Sequence, residues 1–408
     1  MRFTWFIARR IIGQRSHRSN VSGPIITIGI IAIALGVITM LIALGTGVGL
    51  QKRIGEKVAA FSGHVRVTSL ENSQRLETQA QLDDAFQIQQ KILKQSNVLS
   101  VQSVAYLPGV ILNKTGFDGI VFKGIDRSFN SDFFRFFGTL DSIAIPQKNQ
   151  IWISHKMASK MELSIGDRVP LYFASSETTI PKRRTSTVMG LFTTGFSNYD
   201  ETYILGHLDV VRSLMGWEPT QAGALELFLK DDTALVAQTE RIYDSIDALV
   251  DVQHIEEQFP EIFNWIRLFG TNISLIIIIM IIVGGVNMIT ALLVLILEQT
   301  QLIGITRVLG APVRSLQQLF LIQGAYLIGV GLFWGNLIGL GLLFIQHQTG
   351  FVTLNPETYY VREVPIYMDF TTVLWLNGLT LLMCLALLLL PSLIIAKIPP
   401  AQALKINP

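Results

Sequence analysis

The sequence predicts a membrane protein: four transmembrane α-helices with a large α+β extracytoplasmic domain between helices 1 and 2, that domain being a split β-α-β unit plus an inserted β-rich module. Three observations lead there. Half of the 408 residues are apolar and only 15% are charged, a balance that fits membrane helices joined to a substantial water-facing part. Residues 21–51, 268–297, 316–346 and 370–396 contain no Asp, Glu, Lys or Arg. Each stretch exceeds the roughly 20 residues that cross a hydrocarbon core, and a backbone in lipid must satisfy its own hydrogen bonds, so each is a helix. Residues 52–267 instead alternate strand and helix patterns.

Residues 1–20 carry Arg2, Arg9, Arg10, Arg15 and Arg18 and no acid, which holds the amino terminus in the cytoplasm. Phe3, Trp5, Phe6 and Ile7 lie beside these arginines and predict a cytoplasmic amphipathic helix resting on anionic lipid. The first apolar stretch is about twice the length of a signal-peptide core, and no A-x-A site follows, so the reading is an uncleaved first helix.

Four crossings from that start put residues 52–267 and 347–369 outside, with 298–315 and 397–408 inside. Residues 52–267 are net acidic while both terminal flanks are basic, so the overall +2 averages opposite regions and predicts no nucleic-acid partner. Cys384, the single cysteine, lies in the fourth apolar stretch. No disulfide frames the large domain.

Within that domain GHVRVTSL reads as a strand, residues 79–95 as a helix, and VLSVQSVAYLPGVIL and FDGIVFKGID as strands. Later come the strand ALELFLK, a helix over 233–246 and the strand VDVQHIEE. These two β-α-β halves occupy 52–126 and 219–265, and residues 127–218 form the β-rich insertion, with short strands in PQKNQIWIS, IGDRVPLYF, TSTVMGLF and ETYILG.

Between the second and third apolar stretches, EQTQLIGITRVLGA reads as a short amphipathic helix at the membrane face. Leu302, Ile303, Ile305, Val308 and Leu309 recur at helical spacing, Glu298 stands at its start and Arg307 near its end, and Gly310 with Pro312 stops it. Such an element suits docking of a soluble partner. Gly331, Gly335 and Gly339 in the third stretch, with Gly45 and Gly49 in the first, have the spacing that lets helix backbones touch. Tight packing or dimerisation follows.

Motifs for chemistry are missing. The sequence contains no Gly-Lys dipeptide, hence no P-loop, and no His-Glu-x-x-His. Ser154–His155 has no evident acid partner, and His254 near Glu256 and Glu257 reads as a solvated strand edge. The charge-free helix cores disfavour an ion-coupled carrier. The chain is expected to be non-catalytic and to bind no metal or cofactor.

These features together resemble the permeases of lipoprotein-releasing ABC transporters, the LolC/LolE family within the wider FtsX-like and MacB-like permeases. EQTQLIGITRVLGAPVRSLQQLFLIQGAYLIGVG is similar to the family's coupling region and third membrane helix, ISHKMASKMELSIGDRVPLYF to a recurring piece of its periplasmic domain, and PSLIIAKIPPAQALKINP to its carboxy-terminal end. The resemblance implies that Glu298, Gly304, Ile305, Arg307, Leu309, Gly310 and Ala311 couple to a separate cytoplasmic ABC ATPase (LolD-like), which binds the ATP and Mg. Leu302 stands where the family commonly has an acid, and Gln323 where it often has a glutamate.

It further implies a substrate cavity between helices 1 and 2, for which Met40, Leu41, Leu44, Val48, Leu268, Phe269, Ile273 and Ile276 are the candidates, plain lipid-facing residues being the alternative. A hairpin over 172–185 matches the place where the family recruits the periplasmic lipoprotein chaperone (LolA-like), through Pro181, Lys182, Arg183 and Arg184; the alternative is a solvated basic turn. Partners implied are lipoprotein substrates and a second permease chain, either a copy or a paralogue. The function implied is extraction of lipoproteins by ATP-driven mechanotransmission. A MacB-like efflux permease and an FtsX-like subunit controlling a cell-wall hydrolase are the alternatives.

Overall fold

A computed structural model of the chain describes residues 22–72, 80–113, 116–130, 132–137, 145–174, 180–231, 233–246 and 249–392. The predicted amino-terminal amphipathic helix, the carboxy-terminal tail and the tip of the 172–185 hairpin lie outside them. The chain divides into two compact units: a helical one of Met1–Lys52, Ile266–Thr353 and Glu363–Pro408, and an α+β one of Arg53–Trp265 and Leu354–Arg362.

The first helix, α1, runs from Ser22 to Ser62. It is followed by β1 (Val65–Ser69), α2 (Ala85–Ile92), β2 (Val98–Asn113), β3 (Gly116–Ile125) and α3 (Asp132–Phe137). Next are β4 (Gln150–Ser154), α4 (His155–Lys160), β5 (Arg168–Phe173), β6 (Lys182–Phe192), α5 (Ser197–Thr202), β7 (Tyr203–His207) and α6 (Leu208–Met215). The α+β unit then continues with β8 (Ala224–Leu229), α7 (Leu235–Ser245), β9 (Val250–His254) and α8 (Ile255–Gln258). The remaining helices are α9 (Pro260–Glu298), α10 (Thr300–Val308), α11 (Val313–Thr349), α12 (Pro356–Tyr359) and α13 (Phe370–Ser392).

Among the described residues, α1, α9, α11 and α13 are the four helices long and apolar enough to cross a membrane. Two of them overrun their charge-free stretches: α1 reaches Ser62 instead of ending near Gln51, and α9 starts at Pro260 instead of Leu268. Hydropathy marks what lipid can cover, whereas a helix stops where the backbone does. Here Gly63, at φ +77, ends α1, and Pro260, whose fixed φ suits a first turn, opens α9.

The core of the helical unit joins Ile33, Val37 and Leu41 of α1, Met288 and Leu292 of α9, Phe320 and Ile328 of α11, and Cys384 and Leu388 of α13. Glycines set how closely these helices approach. A Cβ at Gly331, Gly335 or Gly339 would come within 2.8, 2.7 or 2.8 Å of Ile33, Val37 or Leu41, so the predicted glycine stripe faces helix 1 of its own chain. Gly45 lies under Leu343 and Met368, and Gly49 under the Pro365 carbonyl. Asn336 and Asn377 exchange side-chain amide hydrogen bonds of 2.6 and 2.9 Å between α11 and α13.

In the α+β unit, β2, β8, β1 and β9 pair in that order, all antiparallel. Helices α2 and α7 cover this sheet through Ile88, Ile92 and Ile242 against Val65, Val67, Leu225 and Leu227. That is a ferredoxin-like β-α-β-β-α-β arrangement, opened after its second strand. The insertion is a closed barrel in the order β2–β3–β7–β4–β6–β5, with β5 returning to β2. Ile111, Phe122, Ile151, Ile153, Leu171, Val188 and Ile204 fill it.

Strand β2 serves both layers. Residues 98–104 pair with β8, and 105–113 pair with β3. The predicted boundary at residue 127 is therefore wrong: the barrel begins inside β2 and includes β3. No turn or composition shift marks that point, because one strand crosses it without interruption. Two further boundaries move. Helix α2 begins at Ala85, not 79, because Leu82 bridges Ala222 and Asp84 takes a left-handed φ of 53. The predicted strand VDVQHIEE ends at His254, where Glu257 accepts a 3.3 Å hydrogen bond from the His254 backbone N–H and opens α8.

Candidate coupling segment and neighbouring sites

Helix α9 ends at Glu298, Gln299 breaks it, and α10 covers Thr300–Val308. Glu298 therefore closes the preceding helix and does not start the predicted one. Gly310, at φ +92, stops the segment as expected, and the Ala311 N–H donates to the Thr306 carbonyl at 3.0 Å. Ile303 is fully buried in the helical core and Gly304 is buried with it. Leu302, Ile305, Val308 and Leu309 are 38, 44, 61 and 80% exposed.

Of the predicted coupling residues, Glu298, Ile305, Leu309 and Gly310 are exposed, Arg307 and Ala311 half-buried, and Gly304 buried. Gly304 therefore faces the bundle and is withdrawn as a docking residue. Leu302 and Val308, which the coupling set omits, belong to the bare face. Covering four such side chains is worth about 1.5–3 kcal/mol each at full burial. The segment thus has a bare apolar face and an opposite side keyed into the bundle.

The cavity candidates divide. Met40, Leu41 and Ile273 are buried; Leu44, Val48, Phe269 and Ile276 are half-buried; Leu268 is exposed. The Ile273 side chain lies against Gly47, where an added Cβ would sit 2.1 Å from it. One turn further on, the Gln51 amide donates to the Ile266 carbonyl at 3.0 Å. Helices α1 and α9 are thus in contact at the level of the predicted cavity. Met40, Leu41 and Ile273 are packing residues, and Leu44, Val48, Leu268, Phe269 and Ile276 form a partly exposed rim.

At the barrel hairpin, Pro181 is exposed, but Lys182, Arg183 and Arg184 lie on β6 rather than in a turn. Their strand position comes from pairing with β5, Arg183 standing opposite Tyr172. Lys182 donates to the Leu214 carbonyl at 2.7 Å and Arg184 to the Ser213 hydroxyl at 2.9 Å. Arg183 remains exposed.

Ser154 is a helix cap: its hydroxyl accepts from the Met157 N–H at 2.9 Å and donates to the Asp200 carbonyl. His254 is not a solvated edge residue, since it is buried and stands 3.3 Å from the Glu257 carboxylate. Among the described residues no group of His, Cys, Asp and Glu is arranged to hold a metal.

Four apolar helices, a short helix with a bare apolar face between the second and third, and a split α+β unit between the first and second are the layout of a multi-pass membrane permease. The FtsX-like permease C-terminal family matches residues 274–400. The chain is similar to the lipoprotein-releasing system transmembrane protein LolC of Xylella fastidiosa (strain Temecula1), at 22% identity over 92% of each chain. It is likewise similar to LolC of Haemophilus influenzae (strain Rd), at 24% identity over 96% of each. The chain thus resembles the LolC-type, FtsX-like permeases over nearly its whole length. The periplasmic region of MacB from Actinobacillus actinomycetemcomitans aligns with 49% of this chain and 92% of its own, at 12% identity and a TM-score of 0.34.

Proposed function

We propose that this chain is the permease subunit of an ABC transporter that lifts lipoproteins from the outer leaflet of the inner membrane and passes them to a periplasmic chaperone. The observation that carries the reading is α10, an apolar face bare on one side and anchored by Ile303 on the other, in a chain similar to LolC over nearly its whole length. A separate cytoplasmic ATPase binds ATP and Mg and seats on Leu302, Ile305, Val308 and Leu309. Its closure moves α10, and the bundle carries that movement to the α+β unit, which lies in the periplasm.

Energetics favour a sheltered path. Moving an acyl chain of about 16 carbons from lipid into water costs roughly 12 kcal/mol at about 0.8 kcal/mol per CH₂. The half-buried rim of Leu44, Val48, Phe269 and Ile276 supplies apolar cover when α1 and α9 part. Chaperone docking falls to Pro181 and Arg183, since Arg184, though also exposed, is bonded to the Ser213 hydroxyl.

The test is depletion of this chain in its native host, with depletion of its ATPase as the matched control. Outer-membrane lipoproteins retained in the inner membrane under both depletions support release. Normal partitioning, in a strain lacking any paralogue, rejects it in favour of efflux or cell-wall signalling.

A further inference from the structure

The end of α1 sits in a socket to which both layers of the α+β unit contribute. The last carbonyls of a helix have no partner inside it. Here the Gly63 N–H takes the Ala59 carbonyl at 2.7 Å, and the Lys123 ammonium, from barrel strand β3, donates to the carbonyl of Phe61. The Phe61 ring lies among Phe133, Phe137, Tyr199 and Tyr203, with centroids 4.7–6.5 Å away.

Lys123 is itself held by Glu226, on β8 of the ferredoxin-like sheet, at 2.9 Å, and both side chains are fully buried. Glu226 also accepts from the Tyr106 hydroxyl and, at 2.6 Å, from the Gln102 amide, both on β2. Gln102 in turn accepts from the Asn130 N–H at 2.8 Å. Burial draws the Lys123 ammonium below the usual lysine range while Glu226 pulls it back, and burial lifts the Tyr106 hydroxyl well above its own. A Cβ at Gly63 would meet Glu226 and Leu227 at 3.1 Å, so the strand carrying Glu226 abuts the helix end directly.

A buried ion pair is a poor source of stability, because desolvation cancels most of its attraction. A pair that fixes one geometry among three elements is a different matter, since each partner left alone is strongly penalised. We propose that Lys123, paired with Glu226, is the positioning residue that locks the end of α1 to the barrel and the sheet together, so that movement of α1 turns both as one body. The proposal rests on the mechanotransmission reading above and names the joint through which it acts.

The experiment uses the full-length chain in lipid nanodiscs, with Cys384 replaced by alanine and spin labels placed pairwise at Gly55, Ile165 and Tyr243, which report on α1, the barrel and the sheet. Wild type and Lys123→Arg, which keeps charge and donors, are expected to give narrow distance distributions. Lys123→Met/Glu226→Met replaces the pair by apolar groups of similar size. It is expected to melt within a few degrees of wild type, yet to at least double the width of the distances from Gly55 and to abolish lipoprotein release in cells. Lys123→Met/Glu226→Gln, which keeps Tyr106 and Gln102 beside an amide, gives the same reading if the fully apolar pair does not fold. Unchanged widths in a folded double variant overturn the proposal. A wild-type chain that never releases lipoproteins overturns the functional reading and leaves the distance result standing.

Discussion

Replacing Gly335 by alanine should drive α1 and α11 apart. The new Cβ would lie 2.7 Å from Val37 Cβ and 3.0 Å from the Ala34 carbonyl oxygen, whereas carbon contacts settle at about 3.5–4.0 Å. The carbonyl belongs to backbone and cannot swing away, so the helices must separate by up to about 1 Å. That separation also loosens the contacts at Gly331 and Gly339, one turn away on either side. Overpacking of this kind costs about 1–3 kcal/mol, while alanine in place of glycine returns up to about 1 kcal/mol of helix propensity. Gly341→Ala on the same helix is the control, because nothing lies within 4 Å of its added Cβ. The expected difference between the two variants is about 1–3 kcal/mol, since the propensity gain is common to both. Unfolding can be followed through Cys384, the only cysteine and a buried one, by its reaction with a thiol-specific dye in denaturant. If Gly335→Ala unfolds no earlier than Gly341→Ala, the glycine stripe is not the contact between these helices.

Ile305→Asp and Leu309→Asp should each leave stability within about 0.5 kcal/mol but strip the ATPase from the purified complex, while Ile303→Asp, in the core, should cost at least about 3 kcal/mol. Equal behaviour in both pull-down and denaturation would refute the assignment of the two faces. Asn336→Leu leaves Asn377 only its bond to the Val373 carbonyl, and a double-mutant cycle with Asn377→Leu should return a coupling of about 0.6–1.7 kcal/mol; zero coupling in that cycle removes the amide clamp. Leu44→Asp should insert normally and lose photocrosslinking to lipoprotein, whereas Ile273→Asp should fail at folding. Retained crosslinking by Leu44→Asp rejects the rim as a substrate path. Arg183→Ala should weaken chaperone capture by the detergent-solubilised chain more than Arg184→Ala, whose side chain is occupied by Ser213, and the reverse order would move the docking site elsewhere.

Much of this architecture is legible in the sequence because bilayers and sheets impose strong periods. Charge-free stretches mark four helices, and alternation in QIWIS or RVPLYF marks barrel strands. Where a period does not name its partner, the sequence falls silent. The spacing of Gly331, Gly335 and Gly339 announces a close approach, but the same spacing serves a second chain as well as Ile33, Val37 and Leu41. In α10, apolar residues lie on more than one side, so periodicity could not tell that Ile303 and Gly304 face the bundle while Val308 faces out. The Lys123–Glu226 pair left only a faint signal: Glu226 is the single charge in β8, but β3 carries Asp118 as well as Lys123. Its members are 103 residues apart, and nothing local joins them.

The stiffness of α1 bears on the proposed transmission. It is an unbroken helix of 41 residues, about 60 Å long at 1.5 Å per residue, and its one proline, Pro24, lies in its first turn, so no kink absorbs displacement further along. Glycine contacts hold it against α11 and, at Gly47, against α9, which ties it to the bundle that also seats Ile303 of the docking segment. A lever of this kind transmits only what its far end resists. That end could have faced water with its carbonyls solvated, and it would then have slipped past the sheets. Instead Phe61 offers a ring to an aromatic socket and a carbonyl to a buried lysine, so a shift of the helix axis must either break charge-assisted bonds or carry β3 and β8 with it. Breaking them exposes two fully buried charges to an apolar surround, which is far costlier than rotating packed layers as a body. Within the α+β unit, the polar joint holds the last turns of α1, the barrel and the sheet together.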